Sequence, residues 1–184
     1  MHVSALRIFL TGAPGIGKTT AIRLIAGELR VRGKMVGGMV TSEIRDSRGR
    51  LGFQIEDICT HKVGTLAHIH EKLRDAPSVG KYHVNLLNIE AIGAEAIRNA
   101  VNTADVIIID EIGPMELKSR EFIFAVEAAL CSSKSLVGTI HRMSDHPLVG
   151  AIKSNPDSHI LEVNLNNRNK IPSDVTTAVT QVTY

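Results

Sequence analysis

The chain has 184 residues, 43% of them hydrophobic and 22% charged, a size and balance that suit one globular unit with a real core and exclude a fibrous repeat or a disordered chain. Lys plus Arg total 21 against 19 for Asp plus Glu, and the net charge of +2 is too small for a dedicated nucleic-acid or membrane surface. Cys59 and Cys131 belong to no CxxC unit, no apolar run approaches the ~18 residues of a spanning helix, and the first ten residues lead into a glycine-rich motif, so a cytoplasmic location is expected.

The first apolar run, Ala5 to Leu10, is closed by Gly12, Pro14, Gly15 and Gly17 and predicts a buried strand ending in a loop. Apolar residues at Ala21, Ile22, Ile25, Ala26 and Leu29 then predict a helix, with Gly33 just past its end. From Lys34 to Thr60 the pattern is a hairpin: an apolar stretch Met35 to Thr41, a charged turn Arg45 to Arg50, and period-2 alternation from Leu51 to Ile58, continued by a strand near Leu66 to Ile69. Residues Ile89 to Val101 return to helical spacing, and Val106 to Ile109 is apolar without alternation, as in a strand covered on both faces. Ser119 is the expected N-cap of a helix through Leu130, Ser135 to Ile140 is a strand, Pro147 opens a short helix, and His159 to Leu165 is a last strand. This order predicts an α/β fold with a mostly parallel sheet flanked by helices and an antiparallel hairpin excursion.

Gly12-Ala13-Pro14-Gly15-Ile16-Gly17-Lys18-Thr19, followed by Thr20, matches GxxxxGK[ST] in full and lies between a predicted strand and a predicted helix. Phosphate oxygens are crowded and negative, so several backbone N–H groups must come close; glycines clear the side chains away, and the helix start adds the positive end of its dipole. Lys18 is expected to reach the β and γ phosphates, and Thr19 to offer its hydroxyl to Mg²⁺, a hard cation that takes oxygen ligands. The run Val106 to Ile109 ends in Asp110-Glu111, where the first carboxylate is expected to hold Mg²⁺ and the second to polarise an attacking water.

Other residues carry weaker signals. Asp110-Glu111-Ile112-Gly113 fits the short DxxG pattern of GTPases, but the guanine-reading NKxD is missing, because Asn169-Lys170-Ile171-Pro172 has proline at its last position. Thr139 and His141 end the strand that follows the carboxylate pair, and if that strand inserts between the other two, a polar group there meets the γ-phosphate. Arg45, Arg48 and Arg50 read as a solvated hairpin tip or as the source of an arginine finger. His61, His68 and His70 have no carboxylate or cysteine spaced to close a metal site with them. Arg168, after the last predicted strand, either lies over a nucleobase or sits on a solvated loop.

With these residues placed, the chain resembles the small nucleoside-triphosphatase family of thermophilic archaea and bacteria that includes the human cancer-related nucleoside triphosphatase. The match runs nearly end to end: the loop Gly12 to Thr19, Gly38 to Arg45 with Gly49 to Phe53, Gly80-Lys81-Tyr82, Asp110 to Leu117, and Asn167-Arg168. One departure is Pro114, where many members are expected to carry lysine. The resemblance implies a single P-loop NTPase domain over residues 1–184 with a RecA-like core, hydrolysing several nucleoside triphosphates to diphosphate and phosphate with Mg²⁺ and little base preference. Nucleoside triphosphates are then the expected partners, with no membrane and no nucleic acid indicated. Residue patterns alone reach a Mg-dependent phosphate-loop protein of hydrolase type, with a small kinase, a nucleotide switch or a nucleic-acid-stimulated ATPase as rivals.

Overall fold

The computed structural model describes residues 5–71 and 75–182. Strand β1 (Arg7–Thr11) leads through the glycine loop into helix α1 (Lys18–Val31), and β2 (Val36–Asp46) turns back into β3 (Gly49–Asp57). Strand β4 (Val63–His68) and the short β5 (Ser78–Val79) and β6 (Tyr82–Val84) follow. A long helix is made of α2 (Leu86–Asn88), a π-helical segment Ile89–Ala94 and α3 (Glu95–Thr103). Then come β7 (Val106–Ile112), a 3₁₀ turn Glu116–Lys118, α4 (Arg120–Cys131), β8 (Ser135–Ile140), α5 (Pro147–Ser154), β9 (Ser158–Glu162) and α6 (Ile171–Val182).

Among the described residues the nine strands form one sheet in the order β5-β6-β4-β3-β2-β7-β8-β1-β9. The neighbours from β2 to β9 are parallel, and the β3, β4, β6 and β5 side is antiparallel. Val106 to Ile109 is fully buried because the strand carries layers on both faces. On one side Ile108 and Leu10 meet Ile22 and Ile25 of α1 and Val175 of α6; on the other Ile107 and Ile109 meet Ile97 of α3 and Phe122 of α4. The β2–β7 contact requires glycine at position 38, where φ is +114° and a Cβ would lie 2.0 Å from the carbonyl oxygen of Ile108.

Pairing of β2 with β7 stops at Met39–Ile109, yet β2 continues to Asp46. At about 3.3 Å per residue this carries the hairpin ~20 Å beyond its last pair with β7. The turn is tighter than the expected Arg45 to Arg50, because Asp46 Oδ1 accepts from the amides of Arg48 (2.8 Å) and Gly49 (3.0 Å). The predicted N-cap at Ser119 is present, its Oγ accepting from the Phe122 amide at 3.2 Å.

Two expectations change, and one element was not expected. The helix expected from Ile89 starts at Leu86, capped by the Asn85 side chain, and passes through the π-helical segment. The strand expected over His159 to Leu165 is shorter, because Asn164 Oδ1 accepts from the amides of Asn166 (2.9 Å) and Asn167 (3.1 Å) and curls the chain away. Helix α6 has no predicted counterpart: its Val and Thr content imitates a strand, but Val175, Thr176 and Val179 fall at helical spacing and are buried.

Candidate active site

Strand β1 delivers the chain into a loop whose backbone runs hard against β9. At Gly12, with φ +145°, a Cβ would sit 2.7 Å from the carbonyl oxygen of Val163, so only glycine passes. The first bond of α1 is donated by Ala21 to Gly17 O (2.9 Å), leaving the amides of Lys18, Thr19 and Thr20 without intrahelical acceptors at the positive end of the dipole. Lys18 folds its ammonium back over this loop, donating to Gly12 O (3.2 Å) and Ala13 O (3.3 Å). Ala13, Pro14, Gly15 and Thr20 are exposed, while Ile16, Gly17, Lys18 and Thr19 are half-buried.

Between Ile109 and Ile112 the β7–β8 register slips, so that β7 spends one more residue than β8 over the same length. Such an irregularity re-aims side chains, and it falls on Asp110 and Glu111. Asp110 is 1% exposed. Its Oδ1 accepts from Thr139 Oγ1 (2.9 Å), its Oδ2 lies 3.5 Å from Thr41 Oγ1, and the Thr19 hydroxyl faces the same carboxylate. Burial raises its pKa, and the Thr19 and Thr139 hydroxyls oppose the shift. For Glu111 burial is again the largest cause, the Asp110 charge adds to it, and the Lys18 ammonium pulls the other way. A hydroxyl and a carboxylate side by side at a helix N-terminus are hard oxygen donors, and this donor set fits Mg²⁺.

Two participants escaped the sequence reading. Thr41 lies against Asp110 because β2 overruns the sheet edge, which no local signal encodes. Glu116, noted only as part of the family-like string, is 5% exposed beside Glu111. A Cβ on Gly113 would lie 3.0 Å from Glu116 Oε2 and 3.3 Å from Glu111 Cδ, so this glycine leaves room for both side chains. The flanking Met115 and Leu117 were the available hint that this acid turns inward.

Burial first, and the Glu111 charge next, push the Glu116 carboxyl up to about 8. Folded protein therefore keeps a proton that the unfolded chain releases near 4.5, and stability falls as pH rises from about 4.5 to about 8. Glu116→Gln is expected to raise Tm at pH 8 by about 3 °C or more, with the gain shrinking toward pH 5. Thermal melts of nucleotide-free parent and variant across that range check this; a difference that does not grow with pH refutes it.

The remaining candidates are dispersed. Thr139 meets Asp110, as above. Arg168 is exposed on the turn after β9, in the chain that has just passed Gly12. Arg50 is held by Glu43 (2.6 Å) and Tyr82 Oη (3.0 Å) and lies 5.0 Å from the Phe53 ring centre. Arg45 pairs with Glu43, and Arg48 with Asp46 at 3.6 Å. His61 contacts Glu56 at 3.2 Å, and His68 and His70 stand ring to ring at 5.7 Å near β4, three strands from β7. Pro114 is exposed in the turn before Glu116.

Residues 7–176 match a protein family described as NTPase. The chain is 43% identical over 172 residues, covering 93% of its own length and 95% of the relative's, to the nucleoside-triphosphatase THEP1 of Methanosarcina acetivorans. It is 40% identical over 173 residues to the protein of the same name from Thermotoga maritima, with 92% and 93% covered. Among solved structures it superposes on THEP1 from the hyperthermophile Aquifex aeolicus with a TM-score of 0.84 at 32% identity, over 95% of this chain and 99% of that one. A human cancer-related nucleoside triphosphatase gives a TM-score of 0.81 at 34% identity, over 96% and 98%.

Proposed function

The chain belongs to this NTPase family and has the P-loop NTPase fold, and from that premise we propose that it is a Mg²⁺-dependent nucleoside-triphosphatase, working as one domain. It would hydrolyse ATP, GTP and other nucleoside triphosphates to the diphosphate and phosphate. The observation that carries the reading is the place of Glu111, beside Asp110 at the end of β7 and within the field of Lys18, where burial raises its pKa above that of a free carboxylate. A carboxylate made more basic in this way is better able to take a proton from water.

The reaction then runs with each group in a stated role. Water attacks the γ-phosphorus as Glu111 takes its proton, the bond from the bridging oxygen to the γ-phosphorus breaks, and the diphosphate leaves with that electron pair. Lys18 exchanges its loop carbonyls for phosphate oxygens and balances their charge. Thr19 and Asp110 would hold Mg²⁺, which would supply positive charge against the phosphate oxygens. Thr139 holds the Asp110 carboxylate in place. The reading places the protein in a reducing cytoplasm, in keeping with the free thiols of Cys59 and Cys131.

Phosphate release measured on all common nucleoside triphosphates, with and without Mg²⁺ and nucleic acid, tests the proposal. Release from each of them, dependent on Mg²⁺ and unmoved by nucleic acid, is the expected result. No release with Mg²⁺ present, or labelled γ-phosphate appearing on an organic acceptor, would sink it.

Breadth of base use is attributed to Arg168, whose planar guanidinium stacks on any base and discriminates poorly. Its place on the turn beside the phosphate loop supports that role. Arg168→Ala is expected to raise KM for ATP, GTP, CTP and UTP alike with kcat largely kept. Four unchanged KM values would return Arg168 to an ordinary surface position.

A further inference from the structure

The turn after β7 brings another carboxyl group back to the end of that strand. The turn is closed by bonds from the Leu117 amide to Gly113 O and from the Ser119 amide to Glu116 O, both 3.0 Å. Met115 and Leu117 pack into the apolar layer that holds Ile109 and Phe122, and Glu116 between them is 5% exposed. Gly113 fixes its neighbour. An added Cβ there would lie 3.0 Å from Glu116 Oε2 and 3.3 Å from Glu111 Cδ, so both carboxyl groups border the space that one methyl group would fill.

Two carboxyl groups placed this way do not both keep a charge, because burial removes the water that would screen one from the other. Among the described residues no cation is paired with Glu116. Lys118 of the same turn is exposed, and on α4 Arg120 lies over the Phe124 ring at 5.8 Å while Glu121 holds Arg98 at 3.1 Å. From β7 the charges of Glu111 and Asp110 both act on Glu116, and both favour its neutral form. Glu111 differs in one respect, since the Lys18 ammonium favours its ionised form. The proton of the pair therefore belongs on Glu116, in keeping with a carboxyl group pushed up to about 8.

That proton makes Glu116 a hydrogen-bond donor with an ionised acceptor beside it. We propose that Glu116, as the neutral acid, is a positioning residue whose O–H donates to the Glu111 carboxylate and holds it in the orientation that meets the attacking water. The proposal rests on the hydrolase reading above and deepens it by assigning what orients the base. Glu116 keeps its proton through turnover and acts only through Glu111. The bond also favours the ionised form of Glu111, the form able to take a proton from water.

The test measures kcat and KM for ATP with Mg²⁺ from about pH 6 to about pH 9 in the parent, Glu116→Gln and Glu116→Met. Gln offers an N–H in place of the O–H and should keep kcat at neutral pH within about threefold of the parent. Met fills a similar space without a donor and should lower kcat about tenfold or more with KM unchanged. In the parent kcat should fall as pH rises through about 8, where Glu116 loses its proton, and this alkaline limb should be absent from Glu116→Gln. A role in packing alone would move Tm without separating Gln from Met in kcat. Parental kcat in Glu116→Met, equal loss in both variants, or an alkaline limb that is missing from the parent or kept in Glu116→Gln overturns the proposal. Failure of the hydrolase reading shows separately, as a parent protein that releases no phosphate.

Discussion

Replacing Glu111 by Gln is expected to leave nucleotide affinity near the parental value and to lower kcat by about 10² or more. Gln keeps the size and the hydrogen-bonding capacity but cannot take a proton from water. The two residues also differ in what they cost the site before any reaction. The Glu111 pKa is raised by burial and by the Asp110 charge, so an amide at this position relieves repulsion that the carboxylate endures. Equal or tighter binding with collapsed turnover is therefore the signature, read from Kd by calorimetry and from single-turnover phosphate release. Hydrolysis at the parental rate would require a different base.

Lys18→Ala is expected to remove binding and turnover together, with kcat/KM down by about 10² or more, because the ammonium compensates phosphate charge in both ground and transition states. A second effect follows from the same side chain. The Lys18 charge lowers the Glu111 pKa, so its removal lets that pKa rise, and a larger fraction of Glu111 is protonated and inactive at a given pH. The acid limb of the kcat profile should move to higher pH in Lys18→Ala. Parental binding in this variant would refute the role assigned to the ammonium, and an unmoved acid limb would refute its coupling to Glu111.

The loop Gly12 to Thr19 and the strand ending in Asp110-Glu111 were legible in the sequence because their requirements are local. Glycines must stand where a backbone passes close, as Gly12 does against Val163, and a strand covered on both faces must be apolar throughout, as Val106 to Ile109 is. Helix α1, the hairpin and the Ser119 cap were legible for the same reason: each is written in residues a few positions apart. Helix α6 was not, since β-branched residues carry strand propensity and only its burial against α1, in the apolar layer on that face of the sheet, makes it helical.

Local patterns thus sufficed for the loop Gly12 to Thr19, the pair Asp110-Glu111 and the α/β order of elements. Which distant side chains join them in the candidate site follows from packing. Thr139 is 29 residues from Asp110 and Thr41 is 69 residues from it, and both reach it because β8 and β2 flank β7 in the sheet. Glu116 turns inward because Gly113 leaves space beside Glu111. Arg50, read as a hairpin-tip charge, is held instead by Glu43 and Tyr82, which strand register sets beside it. Such neighbours are fixed by strand order and by what room is left between packed elements, and neither quantity has a local pattern along the chain.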